Sequence, residues 1–389
     1  MKIAQVNSYF HPFMIGGAEW YIYNMSKELI KAGHEVTVFT SNHYGGETLP
    51  PEGDVEGIRV RRIPLKVDLT YRMKIWDGLS KALEAEPFDI IHTYDYAQTH
   101  TLDALNAAKK MGAGAALTVF DVHSSIPRGW YKQIPMRYLD GYFARRAFPL
   151  ATRILVRAPD LVKGLPEIQH WESKVRITPS GVRPESLQAF DGQEFRRKYS
   201  IGGSPVVLFL GRLNPLKGPQ FIIEAAPALA AEFPGISFVF VGPDQSGYVN
   251  HLKARADELG VSSRVTFTGM ISDFKEKMQA YSSCDLFCLP TSYEGTSQAI
   301  FEAMTQGKPI VATRTGGIPY QLDGGTSGFL VDYGDVKGLA EAMAATLRDS
   351  PKAREIGARA RSRVEGFQYP ILASNMLSIY DEIVKEIGN

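Results

Sequence analysis

Two glutamates eight positions apart, Glu294 and Glu302, lie in the stretch YEGTSQAIFEAM, directly behind the apolar run LFCLP. Taken alone, such a pair reads as a helix cap plus a surface carboxylate, or as two acceptors for the hydroxyls of one ligand. Thr296 and Ser297 are suited to cap a helix that begins there. Glu302 then lies one to two turns inside it, where a carboxylate accepts hydrogen bonds from vicinal hydroxyls, as acidic residues do with a ribose. Glu294, in the loop, reaches a different part of the ligand, and the first helical N–H groups, near Ser297 and Gln298, are placed to hold an anion.

A second loop supplies the opposite charge. The run VVLFL enters GRLNPLKG, which puts Gly211, Arg212, Lys217 and Gly218 behind another apolar segment. A guanidinium forks onto two oxygens and a lysine adds a mobile point charge, a combination suited to a diphosphate. The spacing is not that of a P-loop, and no G-x-G-x-x-G follows a strand, which argues against nicotinamide or flavin chemistry. Gly16 and Gly17 follow the first apolar run and open a helix, allowing close backbone approach to an anion, and Gly316-Gly317-Ile318-Pro319 follow a later run in the same way.

These loops need a scaffold, and the chain alternates short apolar runs with amphipathic segments of helical length, the pattern of βα units around a parallel sheet. In the first half the strands are expected near Ile3–Val6, Glu35–Thr40, Ile58–Ile63, Asp89–His92, Ala116–Val119 and Arg153–Val156, with helices near Gly17–Lys31, Arg72–Glu84, Thr99–Lys110 and Ile134–Phe148. In the second half they are expected near Val206–Leu210, Ser237–Val241, Val265–Thr268, Leu286–Leu289, Pro309–Ala312 and Gly328–Val331. The fold class is therefore α/β, with two doubly wound domains. Pro179, Gly181 and Pro184 mark the connection, so the domains are drawn as 1–185 and 186–369, and Pro370 starts a separate terminal helix over 370–389. Open parallel sheets bind ligands at the carboxyl ends of their strands, where all these loops fall.

The 389 residues carry 43 Lys and Arg against 42 Asp and Glu, and 44% of them are apolar, which excludes disorder and a polycationic nucleic-acid binder. Cys284 and Cys288 are expected as buried thiols in a reducing compartment rather than as a redox or metal pair. No apolar run reaches membrane-spanning length and the N-terminus turns polar at Asn7, so a soluble, cytosolic chain is expected. The balanced total hides basic stretches at 59–74 and 128–163, both interleaved with aromatic or aliphatic residues. Arg59, Arg61, Arg62, Lys132, Arg145 and Arg146 there are weighed equally as a solvated face and as a surface for an anionic partner such as lipid headgroups on the inner face of a membrane.

The whole set resembles the retaining glycosyltransferases of the GT-B fold, family 4, over essentially its full length. The resemblance rests on Glu294-GTSQAIF-Glu302 with AMTQGKPIVATRTGGIP behind it, on GRLNPLKG, and on FHPFMIGGAE, AGHEVTVFTS and DIIHTYDY in the first half. It implies a hexosyltransferase that uses a nucleotide-diphosphate sugar as donor, with no obligatory metal or cofactor, and a hydroxyl acceptor on a glycan, glycolipid or small molecule. It further implies that Arg212 and Lys217 hold the diphosphate, Glu302 the ribose and Glu294 the transferred sugar. Thr296, Ser297, Gln298, Gly211, Gly16 and Gly17 would line the donor, and the terminal helix would cross back onto the first domain. Three positions depart from the family pattern. Phe120 stands where a histidine is usual, with Asp121 next and His123 nearby; Ser180 replaces an asparagine; and Tyr320 replaces a glutamate. The same fold serves phosphorylases and sugar-nucleotide epimerases, and a noncatalytic sugar-nucleotide sensor is the alternative from outside the enzymes.

Overall fold

The apolar runs become parallel strands. A computed structural model describes residues 1–13, 16–44, 47–68, 74–120 and 130–388, and these divide into two units, Met1–Gly181 with Tyr369–Asn389, and Val182–Gln368. The chain thus passes between units at Gly181/Val182 and again at Gln368/Tyr369.

The first unit contains β1 (Lys2–Val6), β2 (Glu35–Ser41), β3 (His43–Tyr44), β4 (Glu47–Thr48), β5 (Glu52–Val55), β6 (Ile58–Ile63), β7 (Leu65–Asp68), β8 (Lys74–Trp76), β9 (Ile90–Tyr94), β10 (Gly114–Val119), β11 (Arg153–Val156) and β12 (Val175–Ile177). Its main sheet runs β12-β11-β10-β9-β1-β2-β6-β5, parallel except where β5 pairs antiparallel with β6. Both β9 and β10 are buried at every position, as expected of strands covered on both faces. Helices α1 (Gly17–Lys31), α2 (Leu79–Glu84), α3 (Thr99–Met111), α4 (Trp130–Leu150) and α5 (Pro159–Gly164) connect them. The expected helix over Arg72–Glu84 is corrected to Leu79–Glu84. Lys74–Trp76 pairs antiparallel with Leu65–Asp68 instead, Gly78 at φ 86° breaks helical geometry before Leu79, and Arg72 lies outside the described residues.

The second unit contains α6 (Gly192–Lys198), β13 (Val206–Leu210), α7 (Pro219–Glu232), β14 (Ser237–Val241), α8 (Tyr248–Glu258), β15 (Val265–Gly269), α9 (Phe274–Ser283), β16 (Leu286–Leu289), α10 (Gln298–Thr305), β17 (Ile310–Thr313), α11 (Ile318–Gln321), β18 (Phe329–Val331), α12 (Val336–Arg348) and α13 (Ser350–Val364). Its sheet is β15-β14-β13-β16-β17-β18, parallel throughout. Cys284 and Cys288 are free and buried in this core. Burial pushes both thiols up, Cys284 to about 11, so neither is a reactive thiolate.

After the second unit the chain returns as α14 (Tyr369–Ile387), which packs on the first. Its buried face is Tyr369, Leu372, Ala373, Met376, Ile379, Tyr380 and Ile383, the three-and-four spacing of an amphipathic helix. That face meets Ile22 and Met25 of α1, Ile90, Ala116 and Leu155 in one core. The approach is close: a Cβ on Gly114 would stand 2.3 Å from Ile383 Cγ2. Inside the interface His92 bonds Tyr380 Oη through Nδ1 and Thr118 Oγ1 through Nε2, both at 2.7 Å. Burial lowers the His92 pKa to about 3, so the ring is neutral and serves as a core hydrogen-bonding group.

Candidate functional site

Strands β13, β16 and β17 are neighbours in the second sheet, so their carboxyl ends deliver three loops side by side. Loop 211–218 is tied to the loop after β16 by Ser292 N–H and Thr291 Oγ1, which both donate to Leu216 O, at 2.7 and 3.2 Å. The loop after β17 grips the same segment through Gly317 N–H, which donates to Glu294 O at 2.9 Å. Two glycines make this packing possible. A Cβ on Gly218 (φ 75°) would lie 2.0 Å from Pro290 O, and one on Gly316 (φ 53°) would lie 1.8 Å from Glu294 O.

The stitched loops bring Lys217 onto Glu294, Nζ to Oε1, as an ion pair in which both side chains are mostly buried. Lys217 N–H donates to Asn214 Oδ1 at 3.0 Å, which holds the turn behind it. Arg212 is exposed and makes no ion pair among the described residues. Gly211 N–H donates to Val241 O at 2.9 Å, so that group belongs to the backbone ladder.

Glu302, on α10, is 7% exposed. Lys277 of α9 reaches Oε1 at 2.7 Å and the Tyr281 hydroxyl donates to Oε2 at 3.1 Å. Burial, and then the Glu302 charge, pushes the Tyr281 phenol well above its ordinary pKa, so it stays a donor. A carboxylate has about four acceptor positions, and with one bond to each oxygen Glu302 keeps capacity for two hydroxyls. Sequence reasoning missed Lys277 and Tyr281, whose only signal was their four-residue spacing on one helix face.

Ser297 caps α10, its hydroxyl accepting from Ile300 N–H at 3.4 Å. Thr296 and Gln298 flank it. The expectation for the Ser297 N–H needs correction: it donates to Gln321 Oε1 at 2.7 Å, while Gln321 Nε2 donates back to Ser297 O at 2.9 Å. Gln321 is fully buried and was not anticipated.

In the first unit, Gly16 caps α1 and its N–H donates to Glu19 Oε2 at 2.7 Å, with burial raising the Glu19 carboxyl pKa. A Cβ on Gly17 would meet nothing within 4 Å. Phe120 follows β10 and stacks on Tyr94, ring centroids 5.5 Å apart. The buried Arg157 guanidinium lies 3.7 Å from the Tyr21 centroid and 4.3 Å from that of Phe120. An aromatic face attracts that guanidinium, where a protonated histidine would be repelled. Asp121 and His123 lie outside the described residues.

Three arginines of the first basic stretch are engaged within the protein. Arg59 and Arg61 each bond Glu86 at 2.9 Å, and Arg62 is buried against the carbonyls of His11, Pro50 and Glu52. Arg145 and Arg146 differ, being exposed on α4 beside exposed Tyr138 and Tyr142. Their hydrogen bonds run to Gly141 O and Tyr142 O of their own helix, and the Lys132 side chain lies outside the description. Among the described residues no three His, Cys, Asp or Glu side chains gather to hold a metal ion, and no helix is long and apolar enough to cross a membrane.

Comparison with known proteins places this geometry. Residues 15–186 match the family model described as Glycosyltransferase Family 4, and residues 191–363 match that of Glycosyl transferases group 1. The D-inositol 3-phosphate glycosyltransferase of Nocardia farcinica is 26% identical over 95% of this chain and 86% of its own. Among solved structures, sucrose-phosphate synthase from Thermosynechococcus elongatus superposes with a TM-score of 0.78 at 20% identity over 99% of both chains. Anabaena HepE in complex with UDP gives 0.79 at 20% identity, over 98% of this chain and 100% of its own. The two family models meet near the passage between the units and together cover most of the chain, so the chain belongs to the family 4 glycosyltransferases of the GT-B fold.

Proposed function

We propose that this glycosyltransferase moves a hexosyl group from a nucleoside diphosphate sugar to a hydroxyl acceptor, with retention at the anomeric carbon and without a metal ion. The observation that carries the reading is the Lys217–Glu294 pair on adjoining strand-end loops, with Arg212 on the same loop as Lys217 and Glu302 one helix further on. Arg212 and Lys217 take the diphosphate, Lys217 exchanging Glu294 for it. Glu294 orients hydroxyls of the transferred sugar, Glu302 those of the ribose, and Gly211 and the Thr296–Gln298 segment line the same ligand. The Gly16–Gly17 turn is assigned phosphate contacts.

In the reaction the bond from the anomeric carbon to the β-phosphate oxygen breaks through an oxocarbenium-like state, and the acceptor oxygen bonds that carbon from the same face. The acceptor proton passes to the departing diphosphate. Arg212 and Lys217 stabilise the charge that grows there, the part a preorganised cationic loop plays best. The name of the Nocardia relative and the UDP of the HepE structure choose what to try first: UDP-sugars ahead of GDP- and ADP-sugars, with inositol phosphate among the acceptors. Exposed Arg145 and Arg146 beside Tyr138 and Tyr142 suit peripheral contact with anionic lipid.

A thermal-shift panel of sugar nucleotides, then NMR of the product anomer with and without EDTA, tests the reading. Retention in EDTA supports it; inversion or loss of turnover in EDTA overturns the corresponding part. Arg212→Ala removes charge-assisted bonds worth roughly 1.5–3 kcal/mol each, and normal turnover by that variant would sink the site assignment.

A further inference from the structure

The segment after β17 holds the Glu294–Ser297 loop at both ends. Gly317 N–H donates to Glu294 O at 2.9 Å, and the Gln321 amide closes a two-bond ring on the Ser297 N–H and carbonyl. The holder is itself held. From α13, Arg363 Nη2 donates to Tyr320 O at 2.6 Å and Nε to Gln321 O at 2.8 Å, with Asp323 3.5 Å from its Nη1. The Tyr320 and Phe367 rings lie against the guanidinium, centroids 5.5 and 5.6 Å away. Two pairs of hydrogen bonds therefore run one after the other from α13 to the peptide that enters α10, and Gln321 and Ser297 are both buried.

We propose that Gln321 is a positioning residue for sugar transfer, backed by Arg363: it fixes the peptide at Ser297 and with it the loop that carries Glu294. The inference rests on the donor site proposed above. An amide is the side chain this place requires, because it must accept from an N–H and donate to a carbonyl at once. Methionine has similar length and offers neither bond, and asparagine has the group but not the reach. Because the Ser297 N–H is already engaged, the ligand is met by groups whose direction this clamp sets. Nothing in the relay touches Glu302, which Lys277 and Tyr281 hold from the other side. Loss of the clamp is thus expected to impair the step at the sugar while leaving the nucleotide end bound.

The test uses the full chain with Gln321→Met, Gln321→Asn, Arg363→Met and the Gln321→Met/Arg363→Met double variant. Calorimetry with UDP, GDP and ADP selects the nucleotide the parent binds, and turnover of the matching sugar nucleotide is then measured. The expected result for Gln321→Met is a kcat at least tenfold lower with the diphosphate Kd within threefold of the parent. Amide exchange in a peptide covering 290–298 accelerates while one covering 302–312 does not. The double variant loses no more kcat than the worse single one, since both act through one contact. Parental kcat and exchange in Gln321→Met overturn the inference, as does multiplication of the two kcat losses; if Gln321→Met fails to fold, Gln321→Asn is read in its place. Failure of the donor site itself shows separately, as unchanged nucleotide binding in Arg212→Ala and Glu302→Ala.

Discussion

Replacing Lys277 with methionine removes the cation from Glu302 and leaves the length of the side chain. The Glu302 side chain is 9% exposed and that of Lys277 27%, so the pair lies between the two measured extremes. Breaking a fully buried pair costs about 3–5 kcal/mol and an exposed one about 0.2–1 kcal/mol. With the carboxylate enclosed and only Tyr281 left to donate, the second unit should lose about 2 kcal/mol, roughly a 30-fold shift toward the unfolded state. Most of this is the cost of the stranded carboxylate. Lys277→Met combined with Glu302→Gln should therefore recover all but about 0.5 kcal/mol, since a neutral amide still accepts from Tyr281. Urea unfolding reads the two units apart. Cys284 and Cys288 lie only in the second, so their reaction with a thiol reagent reports it, whereas Trp20, Trp76, Trp130 and Trp171 all lie in the first. A single variant within 0.5 kcal/mol of the parent, or a double variant less stable than the single, would refute this account of Glu302.

The first unit should weaken on acidification. His92 and His100 are held down to about 3 by burial, so between there and 6.5 the unfolded chain binds protons the folded unit refuses. Stability is complete above about pH 6.5 and falls by about 1.4 kcal/mol per pH unit for each histidine below it; a tryptophan-monitored urea midpoint that is flat between pH 7 and 5 would contradict this. Gly316→Ala forces a methyl group into Glu294 O at a left-handed φ, and sugar-nucleotide turnover should drop more than tenfold while tryptophan unfolding stays parental; unchanged turnover would show that the Glu294 loop has slack. Arg145→Glu with Arg146→Glu should abolish salt-sensitive cosedimentation with phosphatidylglycerol vesicles, and equal sedimentation of parent and variant would discard the α4 face as a lipid contact.

Periodicity located the inner strands of both sheets, because βα units write them as apolar runs such as VVLFL and LFCL, and it passed over β5 and β12 at the edges of the first. The carboxylate pair was legible for a related reason: Glu294 and Glu302 belong to one loop and its helix. Their partners were not. Lys277 and Tyr281 reach Glu302 from a different helix, and Gln321 reaches Ser297 from beyond the next strand, distances along the chain at which spacing carries no register. Charge misled for the same cause. Arg59 and Arg61 read as free until folding brought Glu86 to them, and Arg62 was read as surface because backbone carbonyls that accept from it carry no sequence signal. The hairpin of β7 and β8 replaced a helical pattern once Gly78 took a left-handed turn.

The return of α14 to the first unit sets the order in which the protein is completed. On the ribosome, every residue of the second unit emerges before the helix that finishes the first. Until Tyr369–Ile387 follows, the apolar surface formed by α1, β9 and β10 lacks its cover, and Gly114 faces an empty groove where Ile383 will lie. At about 5–20 residues per second the last stretch takes roughly one to four seconds. During that interval the first unit exposes apolar surface of the kind that holding chaperones bind, although nearly all of it was made first. A released chain truncated at Gln368 would keep that exposure indefinitely, although every residue of its second unit would be present.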